Sequence, residues 1–188
     1  RRCIRKADKN GVIIEEAQDL EFADEYFAQL QGVFAKQSLV PTYGVERVRQ
    51  LITHLYPTGN LFLLRARDQQ GRCIATGIFP HLNGVMYFWG GASWRHCQFL
   101  RPNEAVQWHA MKMGRKIGLR IYDMGGSGAY KRKYGGHEIQ VPWIRKSRFP
   151  WIRYMRDMAQ RSHQVSRQYL GHLNRLLVNK RCEDSLNS

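Results

Sequence analysis

The chain has 188 residues, 43% hydrophobic and 24% charged, a balance that excludes a disordered or low-complexity polypeptide. Thirty Lys and Arg face fifteen Asp and Glu, and the resulting charge of +15 draws polyanions: nucleic acid, an anionic membrane or a phosphorylated substrate. No apolar run approaches the ~18 residues of a membrane span, and the four scattered cysteines (Cys3, Cys73, Cys97, Cys182) contain no CxxC pair, which argues against a disulfide framework and a zinc site.

The opening RRCIRK is followed by no apolar stretch of signal-peptide type, so the expected location is the cytoplasm, with peripheral attachment at the inner membrane surface as a second reading of the charge. Gly11–Ala17 reads as a strand. Asp19 can cap the helix that follows, in which Phe22, Tyr26, Phe27, Leu30, Val33 and Phe34 recur at helical spacing. Pro41 and Gly44 interrupt. Val45, Val48, Leu51, Ile52 and Leu55 mark a second amphipathic helix, stopped by Pro57 and Gly59.

Three strands are expected next: Leu61–Arg67, Arg72–Leu82 and Val85–Trp94. Asp68–Gly71 turns the first pair and Asn83-Gly84 is a two-residue hairpin signal for the second. Gly90-Gly91 inside the bulky third strand points to a bulge or to close approach of a ligand. A helix starting near Asn103, its expected N-cap, buries Val106, Ala110, Met113 and Ile117 and ends at Gly118. Leu119–Tyr122 reads as a buried strand, Ala129–Gly136 as a loop or helical turn, and Glu138–Val141 as a last strand. Trp151, Tyr154, Met155 and Met158, then Val165, Tyr169, Leu173, Leu176 and Leu177, repeat at helical spacing in a strongly basic tail.

The order of elements over residues 11–145, with three motifs, resembles the GNAT acyltransferases, and among them the FemABX-type enzymes. RPNEAVQW (Arg101–Trp108) resembles the opening of their central helix. Gly118 followed by YDMGG (Tyr122–Gly126) resembles their strand end, and YKRKYGG (Tyr130–Gly136) resembles their FKxxFGG signature. The resemblance implies an α/β (α+β) GNAT-like fold with a mixed central sheet flanked by helices. It divides the chain into a basic helical lead-in (1–10), a GNAT-like domain (11–145) and a basic helical extension (146–188). FemABX proteins carry two such units, and this chain resembles mainly the second.

The implied function is transfer of an aminoacyl or acyl group to an amine of a cell-wall or polysaccharide precursor. The implied donor is aminoacyl-tRNA, with no resident cofactor. Acetyl-CoA stays open as the alternative donor, although Arg95–Pro102 lacks the glycines of the usual coenzyme A loop. A noncatalytic half-unit that binds tRNA or a partner is the reading from another class. Expected partners are tRNA, a lipid-linked precursor or anionic membrane, and a second GNAT-like unit or another copy of the chain.

Aminoacyl transfer needs a neutral amine, a stabilised oxyanion and a held donor. Lys131 matches the family's lysine, which the resemblance implies stabilises charge at the reacting centre; its bland alternative is a solvated basic loop. Asp123, at a strand end, is a candidate to orient or deprotonate the amine, or else caps the Gly125-Gly126 backbone. Gly125 and Gly126 admit a ligand or make a tight turn. Tyr130 and Tyr134, interleaved with Lys131, Arg132 and Lys133, suit stacking on a tRNA end, or core packing. Arg101 and Asn103 stand in the first turn of the central helix, where they can attract phosphate. His96, Cys97 and His109 match no zinc spacing, and Ser93, His96 and Asp123 lack a nucleophile elbow.

Overall fold

A computed structural model describes residues 1–36, 38–126, 128–142, 144, 146, 148–149, 151–163 and 165–166. The chain forms two compact units, one of residues 1–33 and 41–126, the other of residues 34–40 and 127–188. The expected helix positions Tyr169, Leu173, Leu176 and Leu177, and Cys182, lie outside the described residues.

The first unit is a six-stranded sheet with helices on both faces. Its elements are α1 (Arg2–Lys9), β1 (Ile13–Glu16), α2 (Glu21–Lys36, whose residues 34–36 count with the other unit), α3 (Val45–Leu55), β2 (Leu61–Arg67), β3 (Cys73–Leu82), β4 (Val85–Tyr87), β5 (Gly90–Ser93), α4 (Pro102–Lys116) and β6 (Ile121–Asp123). The sheet order is β1-β2-β3-β4-β6, with β5 also on β3. All pairings are antiparallel except β4 with β6. The mixed α/β architecture expected from the order of elements is therefore present.

Alternation along β2 builds both faces. Phe62, Leu64 and Ala66 join Ile74, Phe79, Met86, Val106 and Ala110 in one core, into which α1 sends the fully buried Ala7. Each large side chain so buried stabilises the fold by roughly 1.5–3 kcal/mol. Arg65, on the other face, meets α2: its guanidinium lies 5.7 Å from the Phe22 ring and pairs with Glu25. Across the same face the Thr76 hydroxyl donates to Gln29 Oε1 at 2.9 Å.

Local signals read from the sequence hold at several points. Asp19 Oδ1 accepts from the Phe22 N–H at 3.1 Å, a helix cap. Asn83 and Gly84 both have positive φ, at 50° and 78°, as a two-residue hairpin between Leu82 and Val85 demands.

Elsewhere tertiary context prevails. The expected single strand Val85–Trp94 splits into β4 and β5, and a short 3-10 helix over Arg95–Leu100 precedes α4. Asn103 is not the N-cap of α4: Arg101 holds that position in a left-handed conformation (φ 64°), and Pro102 follows at N1. Ile117 is 55% exposed because it is the C-cap, past the buried stripe. The strand expected as buried, Leu119–Tyr122, is instead β6, with Ile121 60% exposed, since among the described residues it ends the sheet and has a strand on one side only. No strand forms over the described residues 138–141, where Ile139 and Val141 are each 82% exposed. An alternating pattern fixes a buried face only where a partner strand covers it.

In the second unit, Ala129–Tyr134 is a 3-10 helix closed by Gly135 in the left-handed conformation (φ 77°). Residues 151–163 are helical, with Trp151, Tyr154, Met155 and Met158 exposed. No helix of the described residues is long and apolar enough to cross a membrane.

Candidate active site

The break between β4 and β5 makes the principal irregularity of the first unit. His81 pairs with Met86 and Ile78 with Gly90, so three residue steps on β3 oppose four on the other strand. The extra residue is a β-bulge at Tyr87–Trp89, just ahead of the glycines that signalled it. Within it the Phe88 N–H donates to the Asp123 carbonyl at 2.8 Å, while the Trp89 N–H donates to the Ile78 carbonyl at 3.1 Å. Beyond this point β6 ends. Among the described residues β5 pairs with β3 alone, so the other edge of Gly90–Ser93 faces no strand. The strands thus part at Tyr87 and Asp123 and leave a notch.

The glycines of β5 are demanded by packing within the fold. A β-carbon on Gly90 would run into the Tyr26 hydroxyl, and one on Gly91 would lie 2.9 Å from the Phe88 ring. Tyr26 and Tyr43 join hydroxyls at 2.8 Å, and the Tyr43 and Trp89 rings stand 5.1 Å apart, with the Arg47 guanidinium 5.8 Å from the Tyr43 ring. Burial pushes the Tyr26 phenol far above its usual range, so it stays neutral at all ordinary pH values. This aromatic cluster beside the notch was missed by sequence reasoning. Tyr26 sat in the apolar stripe of α2, and nothing local links it to Tyr43.

Asp123 and Gly125 lie at the end of β6, on the notch. Asp123 Oδ1 accepts from the Gly125 N–H at 2.7 Å, so the carboxylate caps the turn as one of its two readings required. Gly125 has φ 72°, and a β-carbon there would lie 3.4 Å from the Tyr87 hydroxyl. Gly126 continues the same turn, and nothing stands within 4 Å of where its β-carbon would be.

Arg101 and Asn103 open α4 on the far side of β5. The Asn103 side-chain amide donates to the Ser93 hydroxyl at 2.9 Å, which ties the helix start to the strand end. Arg101 reaches the Glu104 carboxylate at 3.9 Å, and Glu104 is itself only 8% exposed in the first turn. Pyrophosphate recognition at a helix N-terminus needs unoccupied N–H groups and no competing anion. Pro102 brings no N–H here, Glu104 brings negative charge, and a 3-10 helix replaces a glycine loop. These residues do not fit a coenzyme A pyrophosphate at that position.

Tyr130, Lys131, Lys133 and Tyr134 belong to the second unit. Lys131 Nζ lies 5.7 Å from the Tyr130 ring centre and Lys133 Nζ 5.3 Å from that of Tyr134, so each cation stands over its neighbouring ring. Tyr130 is 51% exposed, and partial burial raises its phenol pKa. The interleaved aromatic and basic residues thus form two adjacent cation–aromatic pairs. A hollow of ≈ 500 Å³ at the C-terminal end of α4, lined by Met86, Arg115, Arg120 and Tyr122 among others, contains none of the candidate site residues. No group of three or more His, Cys, Asp or Glu among the described residues can hold a metal ion.

Comparison with known proteins agrees with this architecture. The fold is similar to that of FemX, with a TM-score of 0.59 at 17% identity, over 68% of this chain and 48% of that one, so the chain spans about half the length of FemX. It is also similar to the aminoglycoside acetyltransferase meta-AAC0020 from an uncultured soil metagenomic sample (TM-score 0.57, 12% identity, 74% of this chain and 99% of that one). A third likeness is to the aminoglycoside 6′-N-acetyltransferase AAC(6')-Ih of Acinetobacter baumannii (TM-score 0.54, 15% identity, 73% and 99%). No curated protein sequence matches. The acetyltransferase (GNAT) domain family matches residues 1–134, most of the chain, and this protein therefore belongs to that family of N-acyltransferases.

Proposed function

We propose that the chain transfers an aminoacyl group from tRNA to an amine of a cell-wall or related polymer precursor. In this reaction the amine nitrogen attacks the ester carbonyl carbon. A C–N bond forms, the C–O bond to the terminal ribose breaks, and the amine's proton leaves as the ribose hydroxyl regains one. Asp123 keeps one oxygen on the Gly125 N–H, and its other oxygen is the group offered to the incoming ammonium. Lys131 supplies positive charge to the developing oxyanion. Tyr130 and Tyr134, each paired with a lysine, stack on the unpaired tRNA end while Lys133 meets its phosphates.

The observation that carries this reading is the start of α4. Pro102 and the carboxylate of Glu104 stand where a coenzyme A pyrophosphate would need free N–H groups. A donor held by a separate basic surface suits those residues better. The family's own description favours the second reading, a coenzyme A-dependent transferase acting on a small amine.

Calorimetric titration with acetyl-CoA, and filter retention of aminoacyl-tRNA at near-physiological salt, separate the two. The tRNA reading expects retention of aminoacyl-tRNA, no saturable heat with acetyl-CoA, and loss of transfer in Lys131→Ala with the melting temperature unchanged. Saturable acetyl-CoA binding overturns it. Retention of tRNA without transfer, when the chain is joined to a first GNAT-like unit, identifies a binding half-unit instead.

A further inference from the structure

The two helices on the core face of the sheet carry a charge pattern that acyl transfer does not use. On α1, Arg2, Arg5, Lys6 and Lys9 are all exposed. At 100° per residue they fall within one arc of about 100°, opposite the buried Ala7. On the C-terminal half of α4, Lys112, Arg115 and Lys116 share an exposed face with Trp108, itself 46% exposed. That face lies opposite the buried Ala110 and Gly114. The two helices pack against each other, and Ala7 shares a core with Ala105, Val106 and Ala110. The cations of both therefore belong to one side of the unit. None of the seven forms an ion pair among the described residues. Lys112 and Lys116 even depress the pKa of the neighbouring, half-buried His109, after burial itself.

We propose that this α1–α4 face docks on an anionic lipid bilayer, with the seven cations against the headgroups and Trp108 at the interface. Three features select a bilayer over nucleic acid. The face is the outside of two helices laid side by side, not a groove that tracks a strand. Neither stripe carries Asn, Gln, Ser or Thr, the uncharged groups that supplement cations at nucleic-acid backbones. A lone exposed tryptophan among lysines and arginines is the side-chain set of membrane–water interfaces. Such docking is independent of the donor and of Lys131, and would hold the enzyme where lipid-linked acceptors are found.

The test is co-sedimentation of the whole chain with vesicles of phosphatidylcholine alone and with added phosphatidylglycerol, at near-physiological salt. Binding is expected only with phosphatidylglycerol. Each Lys or Arg near such a surface contributes on the order of a fivefold change in affinity. The triple change Lys112→Gln, Arg115→Gln, Lys116→Gln is thus expected to weaken binding about a hundredfold, as is Arg5→Gln, Lys6→Gln, Lys9→Gln. Trp108→Ser should lower the binding that survives high salt. All these residues are exposed, and unchanged melting temperatures check the fold. A matched control neutralises Lys146, Arg153 and Arg161 in the basic tail and is expected to have a smaller effect. The proposal is overturned if vesicles do not bind, or if the tail triple abolishes binding while the helix triples do not. It is equally overturned if the helix triples abolish binding to duplex RNA but leave vesicle binding intact, or if they abolish only self-association.

Discussion

Asp123 accepts a hydrogen bond from the backbone N–H of Gly125 at 2.7 Å, at the point where β6 ends and β5 runs on with β3 as its one strand partner among the described residues. One oxygen of the carboxylate is thus spent on the turn, and the substitution that separates its two uses is conservative. Asp123→Asn keeps an acceptor for Gly125 and removes the charge. Transfer should fall by about 10²-fold or more, the usual range for a positioned acid–base group, with the thermal midpoint nearly unchanged. Asp123→Ala should lose the same activity and also about 1 kcal/mol of stability, through the lost backbone bond. Equal activity of wild type and Asp123→Asn in single-turnover assays would assign the residue to the turn alone.

Gly90 has no room for a methyl group because the Tyr26 hydroxyl occupies that space. Gly90→Ala should cost roughly 1–3 kcal/mol in urea unfolding, as overpacking does in a filled core. Tyr26→Phe deletes the obstructing hydroxyl and its bond to Tyr43, at about 1 kcal/mol. The double variant should then be more stable than the two single costs combined imply. Strict additivity would show that the hydroxyl is not the obstacle.

Arg65, 6% exposed, is held by Asp19 through two nitrogens at 2.6 and 2.8 Å, by Glu25, and by Glu15 at 3.8 Å. Arg65→Met is expected to destabilise by about 3–5 kcal/mol, since it leaves partly buried carboxylates facing one another. Lysine should rescue only part, because it cannot form the paired contact to Asp19.

The same contact has a pH signature. The Arg65 guanidinium, bonded to Asp19, lowers that carboxyl from 3.8 to about 2. A folded-state pKa below the unfolded one contributes stability above the unfolded value, and this is lost as pH falls through the folded value. Stability should therefore decline between pH 4 and pH 2 more steeply in wild type than in Asp19→Asn. Parallel acid unfolding curves for the two proteins would contradict the assignment.

Glu104 places a carboxylate in the first turn of α4, 3.9 Å from the Arg101 guanidinium. Glu104→Gln removes a nearly buried negative charge from a helix N-terminus. It should raise affinity for inorganic pyrophosphate by several-fold, since one charge at such a site is worth roughly 0.3–1 kcal/mol and more when partly buried. Isothermal titration with pyrophosphate reads the change directly. An affinity that the substitution leaves unaltered would mean that this carboxylate does not act on the bound anion, and the charge argument against coenzyme A at α4 would fall with it.

Much of the fold follows from the sequence because its signals are local. Asp19 caps α2 with its own side chain, Asn83-Gly84 turns a hairpin through two positive φ angles, and the periodic apolar residues of α2, α3 and α4 mark helices without reference to anything distant. The motif ending in Asp123-Met124-Gly125-Gly126 marked a strand end and a turn in the same way. Tertiary structure decided what depends on neighbours far along the chain. Ile121 of β6 is exposed because the strand ends the described sheet, although Leu119, Ile121 and Tyr122 read as a buried strand in the sequence. Asn103 serves Ser93 rather than its own helix because β5 ends beside it. Gly90 is required by a tyrosine sixty-four positions earlier, and the bulge arises only when β3 and β6 compete for the strand between them. A sequence specifies such contacts without displaying them, since their energy lies in packing between segments and not in the preference of any one of them.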